Sequence, residues 1–152
     1  MSAAPGVAAK WRRLSADERR TLLQALVLVP AMHVVVRVVG FNRLQQRIAR
    51  TTPRRSRAEV TAATHLRTCV VSVNRVKRFS VLGLRGNCLS QSLALTWLLR
   101  RRGLEPTLRL GARLADGKFD AHAWVEHDGR VLNDSQDVGA RFTPLPEWPS
   151  AQ

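Results

Sequence analysis

Three side chains in this 152-residue chain have the types and the order that acyl-transfer chemistry needs: Cys88, His122 and Asp134. Cys88 lies in Arg85-Gly86-Asn87-Cys88-Leu89-Ser90-Gln91-Ser92, between a glycine-bearing loop and what reads as the first turn of a helix. A packing cysteine needs no such position. A nucleophile gains from it, because a helix N-terminus stabilises a thiolate. In a thiol–imidazole–carboxylate set the thiolate attacks a carbonyl carbon and the imidazolium protonates the leaving amine. The acid fixes the tautomer and orientation of the imidazole.

The other candidates carry less. His65 and Cys69 stand at i, i+4 on a helix, a metal-ligand spacing, but two ligands do not make a zinc site, so no metal is expected. His33 lies in an apolar run and reads as a core histidine, and His127 reads as an exposed turn residue. Asn87 could donate to an oxyanion or cap the helix. Trp124 and Trp97 are candidates for the border of a substrate groove, although Trp97 has core spacing. No glycine-rich phosphate loop is present, and no cofactor is expected.

The elements that must position these residues follow from local patterns. Ser15-Ala16-Asp17-Glu18 is a capping box, so a helix starts there and runs until Pro30 interrupts it. A second helix is predicted from Ala31 to about Arg50, then a basic linker over 51–57. Apolar positions Val60, Ala63, Leu66, Val70, Val73 and Val76 keep helical spacing to about Phe79. Another helix is predicted over 88–102, closed by Gly103. The period then changes to strands over 107–114, 120–126 and 130–134, with a turn over 115–118. The tail after Gln136 shows no clear period. Helices first and an antiparallel sheet after them make an α+β fold.

The last hairpin bears on the site directly. A three-residue loop His127-Asp128-Gly129 would pair Glu126 with Arg130 and set His122 opposite Asp134 on one face. A two-residue loop Asp128-Gly129 would shift the register by one and send the two to opposite faces.

Charge is unevenly distributed. Residues 1–78 carry 16 Lys+Arg against 3 Asp+Glu, while residues 79–152 carry 9 against 8. The basic half suits an acidic partner: nucleic acid, anionic lipid, or an acidic peptide or protein. A basic nucleic-acid-binding module is the alternative to an enzyme. Against it, aromatics are 5% of the chain, with no Tyr, and do not interleave with the basic clusters, so no stacking platform is evident. The apolar stretch over 25–41 holds Pro30, His33 and Arg37 and reads as a kinked core helix rather than a membrane span; whether the N-terminal helices touch a membrane is left open. Two cysteines make no disulfide framework and the N-terminus lacks an apolar signal core, so a cytoplasmic location is expected.

The segment CLSQSLALTWLLRRRGLEPTLRLGARLADGKFDAHAWVEHDGRVLND resembles the leader-peptidase family of lasso-peptide biosynthesis. These are the microcin-processing maturation proteases of the transglutaminase-like, papain-like superfamily. Gly86-Asn87-Cys88 is also similar to the Gly-x-Cys of transglutaminases; Gln91 stands where the family often has Arg. The resemblance implies a papain-like α+β fold, with the catalytic helix packed on a small antiparallel sheet. It divides the chain into a basic helical region, 1–80, and a transglutaminase-like catalytic core, 81–152, within one compact domain. It implies Cys88 as nucleophile, His122 as general acid/base and Asp134 as its orienting partner. The implied activity is removal of a leader from a ribosomally made precursor peptide. A separate leader-recognition protein and an ATP-dependent lasso cyclase are the implied partners, with no nucleic acid. The same triad could instead support another acyl transfer. The arginines of the first helices would then form the docking surface for an acidic leader–recognition complex.

Overall fold

The computed structural model describes residues 11–51, 59–78 and 87–146, without the side chains of 59–61, 77 and 78. Beyond Thr51 the expected basic linker lies outside the described residues, as does the loop over 80–86.

The chain opens with α1 (Ala16–Val39), started by the predicted capping box. Ser15 Oγ accepts from the Glu18 N–H at 3.2 Å and Glu18 Oε2 accepts from the Ser15 N–H at 2.8 Å. Pro30 does not end this helix. It removes one backbone hydrogen bond, yet it lies on the outer side of α1, away from the inward Val29 and Met32 that hold the helix in the core. The break comes at Gly40, whose φ of 87° a side chain would resist, and α2 (Phe41–Ala49) follows. The third helix, α3 (Glu59–Arg78), occupies the predicted range, and α4 (Cys88–Arg101) begins at the candidate nucleophile.

Strands β1 (Thr107–Ala115), β2 (Lys118–His127) and β3 (Arg130–Val131) come next, then the short helix α5 (Val138–Arg141) and β4 (Thr143–Pro144). The sheet is antiparallel throughout, in the order β3-β2-β1-β4. Both tight loops are two-residue Asp-Gly turns, Asp116-Gly117 and Asp128-Gly129, with positive φ at each residue. That conformation matches the twist of the flanking strands.

The sheet separates two apolar groups. On one face Val125 joins the core with Leu22, Ala25 and Val29 of α1, Val73 of α3, and Leu95 and Leu99 of α4. On the other, Trp124 packs with Val138 and Phe142. Alternation along β2 produces this division, since neighbouring strand residues face opposite ways. Helices on one side of an antiparallel sheet make the fold α+β, as the order of the elements implied. The larger of the two clusters draws on both the basic and the near-neutral halves of the sequence.

Candidate active site

Of the two hairpin registers the sequence allows, the structure takes the one that would separate His122 from Asp134, and the contact is nevertheless present. His127 pairs with Arg130 and Glu126 with Val131, so the loop is the two-residue Asp128-Gly129 and not the three-residue one. His127 is accordingly the last strand residue, its Nδ1 3.1 Å from the Glu105 carbonyl oxygen, and not a free turn residue. By ladder geometry alone Asp134 would miss His122. The chain leaves the ladder first: Leu132 donates its N–H to the Val125 carbonyl at 2.8 Å, and the Asn133 side chain then accepts the Val125 N–H at 2.8 Å in place of a backbone partner. Asp134 thereby swings to His122, with Nε2 and Oδ2 2.5 Å apart.

Each carboxylate oxygen of Asp134 has its own work. Oδ2 faces the imidazole, while Oδ1 accepts from the Ser135 N–H at 2.7 Å, the Ser135 hydroxyl at 3.2 Å and Arg141 Nη2 at 2.7 Å. Burial opposes ionisation here. The hydrogen bond from His122, that from the Ser135 N–H, the positive charge of His122 and the Arg141 bond together outweigh it and hold the carboxyl down to about 2. Because the imidazole uses Nε2 for the acid, Nδ1 is the nitrogen left to exchange a proton with a nucleophile.

Below His122 the ring of Phe142 lies stacked, centroids 4.9 Å apart and planes at 25°. Trp124, expected at the border of a substrate groove, is instead buried, with 1% of its surface exposed. Its Nε1 donates to Glu126 Oε1 at 2.7 Å. The reason lies on the neighbouring strand: Gly111, opposite His122 in the register, leaves space that the indole fills. A Cβ there would stand 2.8 Å from Trp124 Cζ3 and 3.0 Å from Phe142 Cβ. Gly111→Ala is therefore expected to destabilise the fold by about 1–3 kcal/mol, read as a lower midpoint in denaturant. It should also displace the Phe142 platform beneath His122. An unchanged midpoint would mean that the pocket accommodates a methyl group.

The cysteine end is built by α4. Asn87 is the N-cap, its Oδ1 accepting the Ser90 N–H at 2.9 Å, which is the capping role. That bond starts the helix at Cys88, which is half-buried. One turn on, the buried Ser92 donates to the Ala123 carbonyl at 3.0 Å and accepts from Asn133 Nδ2 at 2.9 Å. Cys88 lies on the same face as Ser92, about 6 Å back along the helix axis. So Ser92 and Asn133 tie the helix that Cys88 begins to the strand residue beside His122 and to the segment before Asp134. Sequence reasoning missed both; the one signal was that Asn133 adjoins the candidate acid. No hydrogen bond joins the Cys88 thiol to the His122 imidazole here. Catalytic hydrogen bonds often tighten only once substrate is bound.

Cys69 is unsuited to the same chemistry. It is fully buried in α3, and burial pushes its thiol up to about 11, despite the Arg102 Nη1 donor 2.9 Å from its sulfur. A thiol held protonated is a poor nucleophile. No group of three or more His, Cys, Asp or Glu suited to a metal occurs among the described residues. Trp97 packs partly buried against the core, with Arg101 over its ring at 4.7 Å.

Comparison with known proteins bears on the family. The microcin J25-processing protein McjB of Escherichia coli is 32% identical over 63 residues, which are 41% of this chain and 29% of that protein. The chain thus spans under a third of that relative's length. No solved structure matches the chain significantly. Residues 25–147 match the model of the Transglutaminase-like superfamily, a range running from the middle of α1 past β4. A match of that extent, over helices and sheet alike, assigns the fold: the chain belongs to the transglutaminase-like superfamily.

Proposed function

We propose that this protein is a cysteine peptidase that removes the leader from a ribosomally made lasso-peptide precursor. The observation that carries the reading is the His122–Asp134 pair, anchored through Asn133 and Ser92 to the helix that Cys88 begins. The similarity to a microcin-processing protein supports the choice of substrate class. In this reading Cys88 gives its proton to His122 Nδ1, and the thiolate attacks the scissile carbonyl carbon. The Cys88 N–H, unbonded within the helix at its first position, is the first oxyanion donor. Asn87 Nδ2 is the second candidate. Collapse of the tetrahedral adduct expels the core peptide's amine, which takes the proton back from His122. Water, deprotonated by the same imidazole, then hydrolyses the thioester and frees the leader's carboxylate.

The freed amine is what a separate ATP-dependent cyclase would acylate. A separate leader-recognition protein would present the precursor, with a cytoplasmic setting where precursor and ATP are at hand. The superfamily assignment also admits acyl transfer to an amine on the same three residues. One experiment separates the readings: incubate the chain with the precursor, with and without the recognition protein, and weigh the products. Two fragments whose masses sum to the precursor plus one water are expected. A leader fragment carrying an added amine would make the enzyme a transferase. An uncut precursor with the recognition protein present would sink both.

A further inference from the structure

Helix α1 has two apolar faces, and the core uses one. Leu22, Ala25, Val29 and Met32 point inward. On the opposite side Leu23, Val27, Pro30, Val34 and Val38 follow at intervals of four, three, four and four residues, which keeps them on one stripe. Val38 is 78% exposed, Val27 68%, Val34 54% and Leu23 53%, with Leu26 alongside at 41%. The stripe runs about 22 Å along the helix. It holds no acidic or aromatic side chain, and no described element covers it.

Its surroundings are cationic. Arg12, Arg13 and Arg20 are exposed at its N-terminal end and Arg37 beside its C-terminal half. Past Gly40, Arg43, Arg47 and the C-cap Arg50 recur at i, i+4 and i+7 and are all exposed, while Leu44 and Ile48 are buried. A long aliphatic stripe rimmed by arginines at both ends suits one environment better than a protein groove. Grooves are gripped by a few large anchors, with aromatic residues prominent, at the centre of a contact. A lipid surface takes aliphatic side chains between its headgroups and places arginines on its phosphates. A second copy of the chain, at a net charge of +14, is disfavoured by repulsion.

We propose that the outer face of α1 lies in the headgroup region of an anionic membrane, with α1 parallel to the surface and the α2 arginines on lipid phosphates. By length and composition α1 could cross a bilayer. It does not span one in this reading, because its inner face belongs to the core with α3 and α4. The inference is independent of the chemistry proposed for Cys88.

Sedimentation of the full chain with vesicles tests it. Binding to phosphatidylglycerol–phosphatidylcholine vesicles is expected, with little to phosphatidylcholine alone. Val27→Asp with Val34→Asp should abolish that binding while circular dichroism stays unchanged. Should the pair not fold, Val38→Asp, at the most exposed position, serves the same comparison. Arg43→Gln, Arg47→Gln and Arg50→Gln together should lower partitioning on the order of a hundredfold at low salt, and less at high salt. The proposal is overturned if the chain does not sediment with the anionic vesicles, or if the aspartate variants bind as the parent does. It is overturned equally if the stripe proves to be covered by protein: a dimer in light scattering, or a complex with an acidic partner, that the same aspartates dissolve.

Discussion

Replacing Cys88 with alanine is expected to end precursor cleavage, with a fall in turnover of at least about 10⁴-fold, because nothing else in the site can form the acyl intermediate. Cys69 cannot substitute, being fully buried with its thiol held protonated. The fold should survive. Asn87 caps the helix through the Ser90 N–H and Ser92 ties it to Ala123, and neither bond involves the thiol. Alanine is also the best helix former. Mass spectrometry of the precursor and circular dichroism of the variant give the two readouts. Cleavage by a folded Cys88→Ala protein would disprove the nucleophile.

The second large effect is expected at Asp134, where two substitutions should differ in an informative way. In Asp134→Asn the Ser135 N–H, Ser135 hydroxyl and Arg141 all donate to the Oδ1 position, so the amide oxygen belongs there. The amide nitrogen must then face His122 Nε2. An N–H donor in that place forces the neutral imidazole to carry its proton on Nδ1, the nitrogen required to accept the Cys88 proton. Turnover should drop by about 10²–10⁴-fold, the scale found when an orienting acid is lost elsewhere. Asp134→Ala removes the orientation but leaves the tautomer free, so it should retain more activity than the asparagine variant at neutral pH. Equal activity in Asp134→Asn and the parent would remove the carboxylate from the mechanism.

The same carboxylate has a stability signature. Its folded pKa, about 2, is depressed below the ordinary carboxylate value of about 3.9. Its stabilisation is therefore fully present above about pH 4 and lost as pH falls through 2. Acid titrations of parent and Asp134→Asn should converge in that window.

Local signals in the sequence were sound. The Ser15–Glu18 box, the helix beginning at Cys88 and the change to alternation after Gly103 depend on neighbours a few residues apart, and each stands where it was read. Failures came where distant chain decided the outcome. Pro30 looked like a helix end, but core packing of Val29 and Met32 carries α1 across it to Gly40. Trp124 looked available to substrate because nothing in its own strand reveals that Gly111 makes room for it. The two residues of β4 are too few to carry a period and exist through pairing with Gly111 and Ala112. The His122–Asp134 contact was expected from a turn the chain does not use. It arises because Asn133 replaces a rung of the ladder, a substitution of side chain for backbone that no alternation pattern encodes.

His122 and Asp134 are twelve positions apart and joined by a single tight turn, whereas thirty-four separate Cys88 from His122. The entropy of closing a loop grows slowly with length, so the longer closure is costlier by only about 1 kcal/mol. What differs is the material in between. The His122–Asp134 pair is a property of one hairpin and its trailing residues, and it moves as a unit if the sheet shifts. Cys88 arrives on a different element, through helix packing and the Ser92 bridge. Drift in the helical core can thus change the width of the gap between thiol and imidazole while the imidazole keeps its partner. In the proposed peptidase, substrate preference and proton chemistry are then separately adjustable, on opposite sides of one interface.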